Sequence, residues 1–225
     1  MIITIDGPAA SGKSTVSRAL ALELEFFYIC SGLLYRALAY LLMHEFDYTI
    51  ETINNPSISD IEHCFDPQKF TYHYDTQMQE HISFEKQDIT ARLKEKYIDK
   101  LASIVSVNEI VRKKVTHIQR TLASNHNIVI DGRDVGSAVF PNAEIKFFVT
   151  ASVKVRAQRW KKDQEKYGNH LSFEQAIVAI TDRDDRDKNR IIAPLIIPEN
   201  AIIIDTSDLT IDQTITIMLK HIKKL

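Results

Sequence analysis

Gly7-Pro8-Ala9-Ala10-Ser11-Gly12-Lys13-Ser14 spells G-x4-G-K-S, and no other stretch of the chain restricts the fold as much. An apolar β-branched run at residues 2–5 precedes it, and Val16, Leu20, Leu22 and Leu24 follow Lys13 at helical spacing. The octapeptide therefore reads as the turn of a strand, glycine loop, helix unit. In that setting successive backbone N–H groups turn inward on phosphate oxygens and the helix N-terminus adds a favourable dipole. Lys13 supplies a point charge for the β and γ phosphates, and Ser14 a hydroxyl ligand for Mg²⁺. The bland reading, a glycine turn beside a surface lysine, does not account for the flanking strand and helix.

The remaining pattern alternates strands with helices. Short apolar strands are expected at residues 26–29, 128–130, 145–149 and 201–204, with helices at 33–43, 153–166, 173–187 and from 210 onward. The runs at 128–130 and 145–149 are continuous, as in strands buried on both faces of a parallel sheet. Together these elements predict a doubly wound α/β domain. Between them lies an excursion. Residues 47–66 are turn-rich, and 69–75 with 79–85 alternate as a hairpin that puts Phe70, Tyr72 and Tyr74 on one face and Ile82 and Phe84 on the partner strand. A helical region then spans 90–123, with a restart at Asn108 and Glu109.

With 225 residues, 44% of them hydrophobic, the chain can bury a core without staples, and two cysteines could form neither a disulfide framework nor a four-cysteine zinc site. The first residues carry no basic segment followed by a long apolar one, so a cytoplasmic protein without a membrane segment is expected. A net charge of −2 offers no global attraction to nucleic acid, so bound phosphate must be held by local clusters of charge. The eight histidines include no His-x3-His pair, which argues against a metal role for them.

Three arginine clusters stand out. In the run from Asp182 to Arg190, Arg183, Asp187 and Arg190 fall at i, i+4 and i+7, on one helical stripe able to face a sugar phosphate. The same run also fits a solvated face laced with Asp182–Arg186 and Asp184–Lys188 pairs. Arg133 and Asp134 follow the strand at 128–130, at the end where open α/β sheets bind ligands, and Arg36 follows the second strand. Asp131 reads either as a holder of magnesium or its water shell, or as a turn cap. Arg156 and Arg159 lie three apart on a helix that reads as a lid over the transferring phosphate or as a basic surface helix.

Taken in order, Ile5-Asp6-Gly7 through Ser14-Thr15, Ser31-Gly32 with Tyr35-Arg36, Asp131-Gly132-Arg133-Asp134-Val135-Gly136, Phe140-Pro141, Arg183 to Asp187 with Asn189-Arg190, and Ala193-Pro194-Leu195 resemble the bacterial cytidylate kinases. The match runs from residue 2 to about 215 and is weakest between 44 and 90. The resemblance implies a P-loop nucleoside-monophosphate kinase fold, a parallel-sheet core with an inserted substrate-binding region and a short lid. Core residues would be 1–36 and 122–225, with the lid at about 153–170, and residues 37–121 would form the inserted region that binds the nucleoside monophosphate. The implied reaction moves the ATP γ-phosphoryl group to CMP or dCMP with Mg²⁺. By motif, Gly7, Pro8, Ala9, Ala10, Ser11, Gly12, Lys13, Ser14 and Thr15 bind ATP. Ser14 and Asp131 hold the metal, and Lys13, Arg133, Arg156 and Arg159 stabilise the transferring group. Arg36, Arg133 and Arg190 take the acceptor phosphate, Arg183, Asp187 and Ser31 the sugar, and Ser103, Arg112 and Asp134 the cytosine edge. A monomer is implied, with no nucleic-acid partner. Two residues depart from the pattern: Cys30 stands where the family usually has Asp, and Trp160 where it often has a second Arg.

A nucleoside monophosphate is largely dianionic at neutral pH, so it needs no general base as an acceptor. The rival within enzymes is a P-loop kinase of another nucleotide or of a small hydroxy metabolite, with Asp134 or Asp6 as the base such an acceptor requires. A regulatory nucleotide-binding module using the aromatic hairpin as a stacking platform is the rival outside enzymes.

Overall fold

The structure, a computed structural model, describes residues 1–75, 79–166 and 168–223. Residues 76–78 in the expected hairpin, Tyr167 in the expected lid and residues 224–225 lie outside them. The chain divides into two compact units, Met1–Tyr28 with Asn125–Leu225, and Ile29–Ser124.

The first unit is built on a five-stranded sheet. Its strands are β1 (Ile2–Asp6), β2 (Phe27–Cys30, within which the division falls), β6 (Ile128–Gly132), β7 (Ile145–Thr150) and β8 (Ile202–Asp205), in the order β2-β6-β1-β7-β8. β1 runs parallel to both β6 and β7, pairing Ile5 with Asp131 and with Phe147, and β7 runs parallel to β8. Parallel strands need crossover connections. Between and after these strands, among the described residues, lie the α-helices α1 (Lys13–Leu24), α6 (Val153–Glu165) followed directly by α7 (Phe173–Asn189), and α8 (Ile211–Ile222), with a π-helical turn at Val135–Val139 between β6 and β7. The chain leaves β1 toward one edge and later passes from β6 across to the other, so the carboxyl end of β1 is the switch point where such sheets bind ligands.

Burial follows the apolar runs with one difference. Ile3, Ile5 and all of residues 128–130 are fully buried. β7, expected to be buried on both faces, alternates instead between buried and half-buried residues, so only one of its faces is fully covered. β8 is an edge strand whose Ile203 is exposed.

In the second unit, α2 (Ser31–Phe46) carries the core residues Leu34, Leu38, Leu41 and Leu42, packed with residues of α3 (Ile58–Cys64), β3 (Phe70–Tyr74), β4 (Glu80–Phe84), α4 (Lys96–Val105) and α5 (Glu109–Ala123). The hairpin forms in the expected register, with Phe70 opposite Phe84 and Tyr72 opposite Ile82, and β5 (Gln87–Asp88) adds a third strand. Two of the three aromatics on its first strand belong to the core: Phe70 is buried, Tyr72 packs against the same cluster, and the Tyr72 hydroxyl accepts from the Cys30 N–H at 3.0 Å; Tyr74 is half-buried outside that cluster.

The helical region expected over 90–123 starts later and is interrupted. Thr90 serves the sheet, its hydroxyl accepting from Ile82 N–H at 2.8 Å. The restart at Asn108 is a helix cap, since the Asn108 side-chain oxygen accepts from the N–H groups of Ile110 and Val111. At the start of α2 the opposite holds. Cys30 occupies the N-cap position with no side-chain cap hydrogen bond, and the first turn contains no acidic residue. Cys30→Asp, which adds both a cap acceptor and a charge at the positive end of the helix, should stabilise the protein by about 1 kcal/mol. A rise in Tm of about 2–4 °C in thermal unfolding is the expected result, and an unchanged or lower Tm would exclude the capping account.

Candidate active site

The phosphate loop leaves the carboxyl end of β1 and enters α1 with Gly12 as its N-cap at φ 88°, a left-handed conformation that glycine adopts without strain. Gly7 is needed for a different reason, because a Cβ there would collide with the Val149 carbonyl. The loop is set at its root by Asp6, whose two oxygens accept the N–H groups of Val135 and Gly136 at 2.8 and 2.7 Å. Burial raises the Asp6 carboxyl to about 7 against the lowering effect of those two bonds. With both oxygens so engaged, Asp6 anchors the loop and is not placed as a base. Inside the loop the Ser11 hydroxyl is buried with no hydrogen-bond partner, an orphan that a bound anion would satisfy.

Lys13 is buried and its ammonium donates to the Pro8 carbonyl at 3.1 Å. Burial lowers its pKa to about 7; Arg133 and Arg183 push it further down, while Asp131 and Asp187 oppose them. Next to Lys13, the Ser14 hydroxyl donates to Asp131 Oδ2 at 2.6 Å, and the Tyr28 hydroxyl donates to Asp131 Oδ1 at 2.8 Å. The two residues expected to hold metal are therefore in contact. A hydroxyl and a carboxylate are hard oxygen donors suited to Mg²⁺, which keeps waters and substrate phosphates as its other ligands. The cap reading of Asp131 has no support here, since its oxygens receive side-chain hydroxyls.

The arginine stripe of α7 reaches the same neighbourhood. Asp187 accepts from Arg133 Nε at 2.7 Å, and Asp134 from Arg190 Nη2 at 2.9 Å. Burial pushes the Asp187 carboxyl up, but Arg133 and Arg183 outweigh it and hold it below the ordinary carboxylate value. Arg183 and Asp187 lie on α7, but the helix ends at Asn189 and Arg190 is its C-cap in an extended conformation, so the helical stripe holds for its first two members only. Asp182, Asp185, Arg186 and Lys188 are exposed, as on a solvated face, whereas Asp184, expected to pair with Lys188 in water, is 6% exposed and bonded to Arg156 at 2.6 Å.

The sequence offers Arg156 and Arg159 either as lid groups above the transferring phosphate or as part of a basic surface helix. The structure ties both to the phosphate-loop backbone. Arg156 donates to the Ala9 carbonyl at 3.1 Å, and Asp184 accepts the Ala9 N–H at 3.3 Å. Arg159 donates to the Ser11 carbonyl at 3.2 Å and to the Thr206 carbonyl at 2.7 Å. Trp160 packs with Ala10, Phe173 and Ile177 around the small cluster that joins α6 to α7. Thr206, and the role of Asp184 at the loop, do not show in the sequence. Their signal is spatial, because each becomes a partner of the loop only through an element more than 170 residues downstream of it.

Among the second unit's candidates, Ser31 opens α2 and its hydroxyl accepts from Gln119 Nε2 at 2.7 Å. Arg36 pairs with Asp99 at 2.6 Å. Arg112 is buried, lies 5.7 Å from the Tyr35 ring centroid and donates to the Ser106 carbonyl at 3.1 Å. The Ser103 carbonyl accepts from the Ser106 hydroxyl at 2.9 Å. Asp99 and Gln119 are further polar partners that the motifs did not indicate.

A phosphate loop at the switch point of a parallel sheet, with a buried lysine and a hydroxyl–carboxylate pair beside it, defines an α/β nucleotide-binding protein of the P-loop class. Residues 3–224 match the profile of the cytidylate kinase family. The chain is 37% identical over 224 residues to a cytidylate kinase from Halalkalibacterium halodurans, an alignment covering 100% of this chain and 98% of that one. It is 41% identical over 218 residues to a cytidylate kinase from Chlamydia caviae, covering 96% and 94%. The chain belongs to the cytidylate kinase family. In fold it is also similar to the crystal structure of an uncharacterized protein from Eubacterium ventriosum, with TM-score 0.54, 13% identity and coverage of 100% and 99%. Among the described residues no helix is long and apolar enough to cross a membrane.

Proposed function

We propose that this protein transfers the γ-phosphoryl group of ATP, bound with Mg²⁺, to CMP or dCMP, giving CDP or dCDP. One observation carries the reading beyond family membership: Arg133 and Arg183 lie close enough to Lys13 to depress its pKa. Three basic groups face two carboxylates there, Asp131 and Asp187, and the positive excess is what a phosphate-rich ligand pair would neutralise, as a nucleotide donor and a phosphate acceptor do together.

In the first unit, the phosphate loop binds ATP, Ser14 and Asp131 are the residues that would hold Mg²⁺, Arg133 and Arg190 receive the acceptor phosphate, Arg183 and Asp187 the sugar, and Asp134 the cytosine amino group. In the second, Arg36 serves the acceptor phosphate, Ser31 the sugar, and Ser103 and Arg112 the base; the inserted nucleoside-monophosphate-binding region, residues 37–121, lies within this unit, which begins earlier, at Ile29, and so takes in Ser31 and Arg36 as well. When bound, Mg²⁺ supplies charge neutralisation on the β and γ oxygens. The chain's own residues do the rest by alignment and by stabilising charge on the equatorial oxygens, since a dianionic acceptor needs no base. Arg156 and Arg159 act from outside the loop, holding its Ala9 and Ser11 carbonyls. A carboxylate at position 134 favours an amino-bearing pyrimidine, because uracil presents an acceptor at that edge. The reading places the enzyme in the cytoplasm, with the nucleotide pools it draws on, and as a monomer, as the family resemblance implies.

The test is the initial rate of transfer from Mg·ATP to CMP, dCMP, UMP, dTMP, AMP, GMP and shikimate. CMP and dCMP should lead UMP by roughly 10- to 100-fold, the discrimination expected of one well-placed base-edge contact. A preferred acceptor other than a cytidine nucleotide would overturn the reading.

A further inference from the structure

The second unit contains a polar pair that packing does not explain. Gln119, in the last turns of α5, is 1% exposed, on a buried face that also carries Val111 and Val115. Its Nε2 donates to the Ser31 hydroxyl, which is 5% exposed, while its Oε1 is buried with no hydrogen-bond partner. An amide held at this depth with half of its hydrogen-bonding capacity unmet is a poor choice for filling space, and a methionine of similar length would fit without the orphan oxygen. What the amide does accomplish is directional. A serine hydroxyl has one proton and two lone pairs. By occupying a lone pair, Gln119 makes Ser31 an acceptor on its inner side and leaves the proton to be donated outward, and none of the described residues accepts it.

We propose that Gln119 is a positioning residue that commits the Ser31 hydroxyl to donate a hydrogen bond to a sugar oxygen of the acceptor nucleotide. The inference rests on the reading of Ser31 as a sugar contact and adds the direction of that bond and the residue that sets it. A ribose offers 2′ and 3′ oxygens to such a donor, a deoxyribose the 3′ oxygen alone.

Three substitutions in the full-length enzyme test this: Gln119→Met, Gln119→Glu and Ser31→Ala, with the two Gln119 changes made in both the wild-type and Ser31→Ala backgrounds. Gln119→Met removes the donor and should raise KM for the nucleotide acceptor roughly fivefold, the effect of one neutral hydrogen bond, with kcat and the KM for ATP within about twofold of wild type. Gln119→Glu keeps the shape and, assayed at about pH 9 where the buried carboxyl is ionised, offers only acceptors, so it turns the Ser31 proton inward and should raise KM at least as much. Neither change should matter once Ser31 is alanine. An increase confined to CMP would assign the bond to the 2′ oxygen, and one shared by dCMP to the 3′ oxygen. The proposal falls if Gln119→Glu keeps the wild-type KM, if Gln119→Met has no effect on it, or if the increase persists in the Ser31→Ala background. Should Ser31→Ala itself leave KM unchanged, the sugar role of Ser31 is wrong and the inference goes with it. A raised KM in Ser31→Ala with Gln119→Met silent would overturn the positioning role alone.

Discussion

Lys13→Met should lower kcat for phosphoryl transfer by roughly 10³-fold, the scale of losing one preorganised charge at a developing anion, and should at the same time make the ligand-free protein more stable. Both effects come from the same burial. Lys13 sits among Arg133 and Arg183 in a site that water reaches poorly, and its pKa is lowered from 10.5 to about 7. Between those two values the unfolded chain binds a proton that the folded chain has released, so the contribution of this group to stability rises with pH through that window. Its cost to the fold is therefore full below about pH 7 and fades toward pH 10. The Tm advantage of the methionine variant should be largest at pH 6 and shrink as pH rises. Binding carries the complementary signature. Phosphates restore the proton, so at pH 8 the wild-type protein should take up protons on binding ATP, read from calorimetry in two buffers of different ionisation enthalpy, and the variant should lack that uptake. A loss in kcat below tenfold, or a variant less stable than wild type at pH 6, would show that Lys13 is neither the charge nor the source of strain described here.

How far the sequence carries toward this site depends on whether a role is local. The phosphate loop, Asn108 as a helix restart and the hairpin register are set by residues within a few positions of one another, and each is readable as a pattern. Arg183 and Asp187 are readable too, because i and i+4 on α7 share a face, whereas Arg190 falls one residue past the helix end, where the periodicity no longer applies. Helix α3 went unread although Ser57 caps it by accepting from Asp60 N–H at 3.1 Å; seven residues carry too little apolar periodicity to stand out in a turn-rich stretch. What no local pattern conveys is the choice among partners of like chemistry. Asp184 could pair with Lys188 on its own helix, and pairs with Arg156 because α6 packs against α7. Asp131 could cap a turn, and is claimed by hydroxyls from α1 and β2.

Asp184→Ala should destabilise the protein by about 3–5 kcal/mol, because it strands a guanidinium in the interior; both members of the pair are only 6% exposed. For a chain of this size that is a fall in Tm of about 10 °C, and a fall below 3 °C would mean that the pair is solvated. Replacing both members by apolar residues, Asp184→Leu with Arg156→Met, should recover much of the loss in Tm, since the penalty of an unpaired buried charge is then absent. The KM for ATP should remain raised in that double variant, because the ion pair also shapes the loop. Ala10 adopts φ 56°, a left-handed conformation that costs a residue with a Cβ about 1–2 kcal/mol, and it is the turn that lets neighbouring N–H groups converge on an anion. The residues on either side of it are held from outside, Ala9 through both its N–H and its carbonyl by Asp184 and Arg156, and Ser11 through its carbonyl by Arg159 and Thr206. Two braces flank one strained residue. If the braces hold that strain in place, restoring the packing without the charges should bring back the fold while leaving nucleotide affinity impaired. Recovery of both together would mean that the loop keeps its shape without them.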